Sequence, residues 1–219
     1  MSKPLLIDYY TDILCVWAWI AQKRIDELNK ELGNKIEFQY KYLDIFGDTQ
    51  SKMEKQWSSK GSFSGFAKHV VESAAPYSDA FINPDIWKIV KPTTSANVHL
   101  VLKAIEIAFG KSKSIDMALE FRKSFFIDAQ DISDLNVLYN IVEKNDLAVR
   151  HVKEVIENGK ALAALMSDYQ SAKALSLKGS PTYIIDNGRQ TLYGNVGYRV
   201  LLANIEEQIK QPVNEASWC

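Results

Sequence analysis

Cysteine is scarce in this chain of 219 residues, which contains only Cys15 and Cys219. Position 18, where a Cys-x-x-Cys redox site would have its second sulfur, holds Ala18. Two cysteines so far apart do not make the disulfide framework of a small secreted domain. The sequence therefore predicts reduced thiols and a chemistry that depends on one activated sulfur.

Other features are also missing. The formal net charge is −1, which gives no broad electrostatic case for nucleic acid or an anionic membrane as a partner. No run of about 18 apolar residues predicts a transmembrane helix, and residues 1–4 contain no apolar signal segment. The three histidines have no partners at metal-ligand spacing, so no metal site is expected. These absences indicate a cytoplasmic protein.

The first part of the chain reads as strand, helix and strand. Leu5–Thr11 is a short, mostly apolar strand candidate, Trp17–Leu32 has apolar residues on one helical face, and residues 36–42 alternate as a half-exposed strand does. Cys15 lies at the turn into the helix, where unpaired N–H groups and the helix dipole favour a thiolate. We therefore expect a Cys15 pKa below the ~8.5 of free cysteine.

The rest of the chain predicts helices followed by a hairpin. Residues 182–186 and 190–193 are strand candidates on either side of the turn Asn187-Gly188, and residues 200–209 have the apolar spacing of a terminal helix. Five helical segments are predicted in between, with Ser133 as the clearest capping residue; they are 62–75, 95–109, 114–126, 133–145 and 150–177.

Together these elements predict an α/β fold with one mixed sheet. Residues 1–49 would form a β-α-β half, residues 50–177 a helical insertion, and residues 178–219 a β-β-α half with a tail. A parallel strand–helix–strand unit is the natural assembly of the first half.

A second motif precedes the third strand, at Gly179-Ser180-Pro181-Thr182. Proline suits the entrance of a strand, and a Ser-Pro bond is one of the few that adopt the cis form. A cis bond would leave neighbouring backbone groups free to pair with an extended ligand. An ordinary turn proline is the alternative interpretation.

In this order of elements and in three motifs, the chain resembles the DsbA-like branch of the thioredoxin superfamily. The motifs are residues 12–19, residues 179–183 and residues 192–195. The resemblance covers nearly the whole chain and implies a thioredoxin-like fold, with Cys15 as the reactive cysteine and Pro181 as the cis proline. Relatives include dithiol oxidoreductases, kappa-class glutathione transferases and 2-hydroxychromene-2-carboxylate isomerases.

The leading functional prediction is a thiol-dependent oxidoreductase with Cys15 as its single nucleophile. A mixed disulfide at Cys15 would be resolved by an external thiol such as glutathione, with no tightly bound cofactor. The substrate would be a small-molecule or peptide thiol or disulfide. The predicted substrate-binding residues are Trp17, Ala18, Ser180, Pro181 and Thr182. The sequence does not decide whether the protein forms a homodimer.

Two other function classes stay open. One is a glutathione-dependent transferase or isomerase of the kappa or 2-hydroxychromene-2-carboxylate isomerase type, although the resemblance gives those enzymes a serine where Cys15 stands. The other is a non-catalytic peptide-binding module. A buried, inert thiol is the structural alternative for Cys15 itself.

Auxiliary roles are considered for two more residues and one group of lysines. His99 would lower the Cys15 pKa if its helix faced the turn, although a surface or capping histidine is the more common case. Cys219 would act as a resolving thiol if the tail folded back, although a solvated chain end is the simpler interpretation. Four lysines form a loose basic set: Lys52, Lys55, Lys60 and Lys68. They either form a solvated face or bind the carboxylates of glutathione.

Overall fold

Four strands form one mixed sheet in the computed structural model, which describes residues 3–210. They are β1 (Leu5–Thr11), β2 (Ile36–Tyr42), β3 (Thr182–Ile185) and β4 (Gln190–Tyr193), in the order β2-β1-β3-β4. Strand β1 pairs in parallel with β2 and antiparallel with β3, which pairs antiparallel with β4. The predicted mixed sheet is confirmed, and β1 lies at its centre.

Helix α1 (Val16–Leu32) makes the crossover between the parallel strands β1 and β2. Its apolar face is buried, and the helix ends at Gly33, whose φ of 51° is a conformation that favours glycine. Because the carboxyl end of β1 leads directly into the amino end of α1, the turn containing Cys15 lies at one end of the sheet.

Seven α-helices lie between β2 and β3. They are α2 (Thr49–Gln56), α3 (Ser62–Ala74), α4 (Ala96–Phe109), α5 (Lys111–Phe126), α6 (Leu135–Lys144), α7 (Val149–Glu157) and α8 (Lys160–Ala174). The sequence did not predict α2, a polar helix with only two buried residues and hence no clear apolar period.

Two helix predictions were wrong in detail. The segment 150–177 is divided into α7 and α8 at Gly159, which has a φ of 80° and cannot continue a helix in that conformation. The cap of α6 is Asp134, whose side chain accepts the amide of Asn136, whereas the Ser133 hydroxyl accepts the amide of Thr93. Ser133 thus joins two loops.

The main core joins the sheet to the helices. Ile7 and Tyr9 of β1, and Phe121 and Phe125 of α5, are fully buried members of the same cluster. A side chain of this size contributes roughly 1.5–3 kcal/mol when it is fully buried. Helix α9 (Tyr198–Lys210) packs against α1. The boundaries at residues 49 and 177 stay a prediction, since the sheet and the helices share this core.

None of the helices within residues 3–210 has the length and the apolar character needed to cross a membrane.

Candidate functional site

Cys15 is the residue that caps α1 at its amino end. Its backbone is extended, with φ −79° and ψ 118°, and the side chain is buried with 6% of its surface exposed. The thiol donates a hydrogen bond to the carbonyl oxygen of Ser180, 3.2 Å from Sγ. The structure thus brings together two predicted site residues that are 165 positions apart in the chain.

The resting Cys15 thiol is not activated, which corrects the prediction of a lowered pKa. Burial raises the Cys15 pKa above its ordinary value, and the nearby carboxyl of Asp12 acts in the same direction. The Ser180 side chain and the amides of Ala18 and Trp17 lower the pKa, as a helix N-terminus should, but desolvation is the larger effect. The sequence showed the helix end and not the burial of the sulfur.

The loop opposite Cys15 contains a cis peptide bond between Ser180 and Pro181. The Ser180 hydroxyl accepts the amide of Asp12 at 3.0 Å, which fixes this loop against the cysteine turn. Thr182 points away from the turn's open side, because its hydroxyl is buried and donates to the carbonyl of Gly179 at 2.8 Å.

Asp12 is the buried carboxylate that organises the turn from behind. Its Oδ1 accepts the amide of Leu14 at 3.0 Å. Its Oδ2 accepts the amides of Ile45 and Phe46 at 3.2 and 2.9 Å, and the Ser95 hydroxyl at 2.8 Å. Burial raises the pKa of Asp12 to about 6, while these hydrogen bonds lower it. One side chain thereby joins the turn after β1, the loop after β2 and the start of α4.

His99 supports the same turn as a neutral side chain. It is fully buried, its Nε2 accepts the amide of Ile13 at 3.2 Å, and its Nδ1 lies 3.1 Å from the Tyr169 hydroxyl. Burial lowers the pKa of His99 to about 3, and the charges of Arg122 and Lys103 add to this effect. A neutral imidazole carries no charge that would stabilise a thiolate. The helix of His99 does face the turn, as one prediction required, whereas the alternative of a surface or capping histidine was wrong. His99 is not among the groups that shift the Cys15 pKa.

An open cleft of about 440 Å³ lies in front of Cys15. Its walls come from the start of α1, the loop after β2, helices α2 and α3, and the loop before Pro181. Its lining includes the side chains of Trp17, Lys52, Trp57, His69, Lys178 and Ser180. The indole of Trp57 and the imidazole of His69 have ring centroids 5.1 Å apart, so one wall is aromatic.

Lys52 supplies positive charge on the helical wall of this cleft. Its Nζ lies 4.9 Å from the centre of the Phe46 ring and donates to Gln56 at 3.1 Å. Among residues 3–210, no carboxylate forms an ion pair with it. Burial lowers the Lys52 pKa, whereas negative charge on Asp12 and Cys15 raises it. Lys52 is therefore a cation that is available to a thiolate or an anionic ligand.

The predicted site residues are only partly assembled around the cleft. Cys15, Trp17 and Ser180 line it. Ala18 is fully buried, and Thr182 is 2% exposed. Cys219 lies outside the described residues. Of the loose basic set, only Lys52 lines the cleft, while the Lys60 ammonium lies 5.0 Å from the centre of the Trp57 ring.

Sequence reasoning assigned no role to Asp12 or Lys178. A carboxylate followed by Ile13-Leu14 in an otherwise apolar approach to the cysteine was the available signal for Asp12. Lys178 gave no comparable signal, because only the fold brings it to the same cleft as Lys52. Within residues 3–210, no group of three side chains is arranged to hold a metal ion.

Comparison with protein families identifies the whole fold. The family model described as DSBA-like thioredoxin domain matches residues 6–206. The cytosolic disulfide reductase DsbM from Pseudomonas aeruginosa superposes with a TM-score of 0.69 at 15% identity, covering 93% of this chain and 100% of that one. A 2-hydroxychromene-2-carboxylate isomerase superposes with a TM-score of 0.65 at 14% identity, covering 93% and 95%. The predicted thioredoxin-like fold is thereby confirmed.

Curated relatives are similar in sequence over most of the chain. The ClpXP adapter protein SpxH of Halalkalibacterium halodurans is 22% identical, with 94% of this chain and 68% of the relative aligned. SpxH of Bacillus subtilis is 23% identical, with 85% of this chain and 60% of the relative aligned. The chain thus spans about two thirds of the length of these relatives.

Proposed function

We propose that this chain, which belongs to the DSBA-like thioredoxin domain family, is a thiol-dependent oxidoreductase that acts through Cys15 alone. One observation carries the proposal: the Cys15 sulfur lies at the start of α1, beside the Ser180 carbonyl and on the wall of an open cleft. A sulfur so placed is within reach of a disulfide bound against the Ser180–Pro181 loop.

The reaction consists of two exchanges at Cys15 and a third that involves a second molecule of external thiol. The Cys15 thiolate attacks one sulfur of a substrate disulfide, the S–S bond breaks, and the departing sulfur leaves as a thiolate that takes a proton from water. An external thiol, as its thiolate, then attacks the mixed disulfide and regenerates Cys15. The external thiol becomes disulfide-bonded to the substrate group, and a second thiol molecule releases that group, so the two thiols supply both electrons.

Deprotonation of Cys15 must accompany the entry of substrate. At neutral pH the buried sulfur is a thiol that is hydrogen-bonded to Ser180. Lys52 lines the cleft and interacts electrostatically with this sulfur, and the amides of Trp17 and Ala18 lower the Cys15 pKa. We therefore expect slow exchange at pH 7 and a rate that rises with pH.

Glutathione is the external thiol that suits the cleft best. It carries two carboxylates, and two cationic side chains, Lys52 and Lys178, line the cleft against one carboxylate, Asp44. Trp57 and His69 offer an apolar wall next to these charges. The structurally similar DsbM was solved with GSH. Since reduced glutathione belongs to the cytoplasm, we extend the proposal to that compartment; a homodimer stays a prediction.

Intact-mass spectrometry tests the proposal. The protein is incubated with oxidised glutathione and compared with Cys15→Ser, and both are digested to locate the adduct. We expect one glutathione on Cys15, removed by excess reduced glutathione, and no adduct at this turn in the variant. The absence of an adduct at Cys15 across pH 7–9, with folded protein, would refute the single-cysteine mechanism.

A second candidate is a binding module that keeps the cleft and performs no exchange. The specific observation in its favour is the Cys15 thiol itself, which is buried and has a raised pKa. Two curated relatives are named as adapter proteins. In this case the Cys15→Ser variant would bind a partner peptide as tightly as the unmodified protein. Its loss of thiol–disulfide exchange would have no phenotype.

A further inference from the structure

His69 of α3 is a half-buried histidine that lines the same cleft as Cys15. The other two histidines, His99 and His151, hydrogen-bond through their ring nitrogens. Within residues 3–210 no group hydrogen-bonds the ring of His69, and neither of its nitrogens is buried. Both nitrogens are therefore accessible to a molecule in the cleft.

Aromatic contacts hold the His69 ring on the cleft wall near the amino end of α1. Its centroid lies 6.4 Å from that of Trp17, the second residue after Cys15. Trp57 and Phe66 also pack against the imidazole, at 5.1 and 6.1 Å between centroids. A ligand that fills this cleft of about 440 Å³ contacts both the sulfur and the imidazole.

At neutral pH the two groups are a protonated thiol and a neutral imidazole. Burial raises the pKa of Cys15 and lowers the pKa of His69 below the ~6.5 of ordinary histidine. The charge of Lys60 lowers the His69 pKa further, and that of Glu72 raises it. The Glu72 carboxylate is itself paired with Lys68 at 3.7 Å. A thiol that must lose a proton and a base that accepts one thus line the same cleft.

Among residues 3–210, no other side chain that lines the cleft is suited to this proton transfer. The remaining titratable groups of the lining, which come from other elements than α3, are Asp44, Lys52, Lys178 and Tyr193. A carboxylate is a much weaker base than a thiolate, and a lysine ammonium has no lone pair. Imidazole is the side-chain type whose charge changes between pH 5 and 8.

We propose that His69 is the general acid–base residue of the exchange at Cys15, an inference that rests on the oxidoreductase function proposed above. The neutral imidazole takes the proton of the Cys15 thiol, directly or through one water molecule, and the thiolate attacks one sulfur of the bound disulfide. The substrate S–S bond breaks as the bond to Cys15 forms. The departing thiolate then takes the proton from the imidazolium, in place of water, so His69 ends neutral and no proton is gained or lost.

The pH dependence of the His69→Phe variant tests this proposal, because phenylalanine keeps an aromatic ring against Trp57 and removes the proton acceptor. The rate of adduct formation at Cys15 with oxidised glutathione is measured from pH 6 to 10. At pH 7 we expect the variant to react about a hundredfold more slowly, the lower end of general acid–base contributions. The deficit should shrink as the pH rises, because the Cys15 thiolate then forms without a base.

His151→Phe is the matched control. His151 is a half-buried helical histidine beside the Phe109 ring, 6.0 Å between centroids, and it does not line the cleft. This variant should react at the unmodified rate at every pH. His69→Ala gives a second measurement, since added imidazole should raise its rate at pH 7 in a saturable way and should leave His151→Ala unchanged.

A His69→Phe deficit of the same size from pH 6 to 10, with no effect of imidazole on His69→Ala, would make His69 only a part of the cleft wall and overturn the proposal. Equal rates for the unmodified protein and His69→Phe at pH 7 would overturn it as well. In both cases the adduct still forms at Cys15 and the oxidoreductase function stands. Absence of the adduct in the unmodified protein would refute that function, and this inference with it.

Discussion

The two sides of the Cys15 turn differ in how completely their polar groups are paired. Behind the turn, Asp12 accepts four hydrogen bonds, and His99 accepts the Ile13 amide. In front of it, Lys52 and Lys178 face an open cleft, and Lys52 has no carboxylate partner among residues 3–210. The polar groups behind the turn are thus paired within the protein, whereas the charge of Lys52 in front of the turn is available to a ligand.

This difference also separates stability from reactivity. Substitutions behind the turn leave buried donors unpaired and should mainly change the free energy of unfolding. Substitutions in front of it remove a partly solvated charge and should mainly change the chemistry of Cys15. The predictions below test this division.

The largest effect is expected for Asp12→Ala. Four donors would lose their acceptor, and each unsatisfied buried donor costs about 1–3 kcal/mol. We expect the free energy of unfolding to fall by at least about 3 kcal/mol in urea denaturation. Asp44→Ala, on the cleft side, is the matched control and should change it by less than about 0.5 kcal/mol. Similar losses for both variants would contradict the division.

The next largest effect is the pH dependence of the free energy of unfolding. The folded-state Asp12 pKa, about 6, exceeds the ~3.9 of an unfolded aspartate, so this group favours folding as the pH falls from 6 to 4. The folded-state His99 pKa, about 3, lies below the ~6.5 of an unfolded histidine, so this group disfavours folding over the same window. The two contributions have opposite signs and largely cancel.

His99→Gln should reveal the contribution of Asp12. Relative to the unmodified protein, the variant should gain about 1.4 kcal/mol of unfolding free energy for each pH unit between 6 and 4. Above pH 7.5 the difference between the two proteins should be constant, since neither group titrates there. Urea denaturation at several pH values measures this, and a difference independent of pH from 4 to 6 would show that His99 becomes protonated in the folded state.

Ala18→Cys is expected to change the reaction on the front side. It places a second sulfur one helical turn after Cys15, and a disulfide between Cys15 and the introduced sulfur could then be stored. We expect oxidation of a reduced dithiol peptide to become about tenfold faster or more. Ala18→Ser is the control and should stay at the unmodified rate. Rapid dithiol oxidation by the unmodified protein with Cys219 deleted would show that Ala18 does not limit the chemistry.

The smallest effect is expected for Lys52→Met. Loss of this cation should raise the Cys15 pKa further, because a neighbouring positive charge favours the thiolate. Lys55→Met, on the same helix but exposed and outside the cleft, should leave the pKa unchanged. The rate of Cys15 alkylation between pH 7 and 10 measures this pKa. In the unmodified protein the midpoint of the rate against pH should lie above ~8.5. Equal midpoints for both variants would exclude a role for Lys52.

The sequence by itself determined the mixed sheet, the position of the sulfur and the order of elements, except that α2 was not predicted and α7 and α8 were predicted as one helix. Period-2 and period-3.6 patterns identified β1, α1 and β2, and the turn at Asn187-Gly188 separated β3 from β4. These features are local, since apolar spacing and turn residues act over a few positions. The motifs around Cys15 and Pro181 also lie at these element ends, where the chain changes direction.

Only the tertiary structure decided the electrostatics of the site. Whether Cys15 is activated depends on how deeply the sulfur is buried, and whether His99 is charged depends on burial and on Arg122. Asp12 acquires its role from amides at positions 45 and 46 and from Ser95. Lys52 and Lys178 reach one cleft only through the fold. Desolvation and charge pairing are properties of the packed molecule, so no local pattern in the sequence records them.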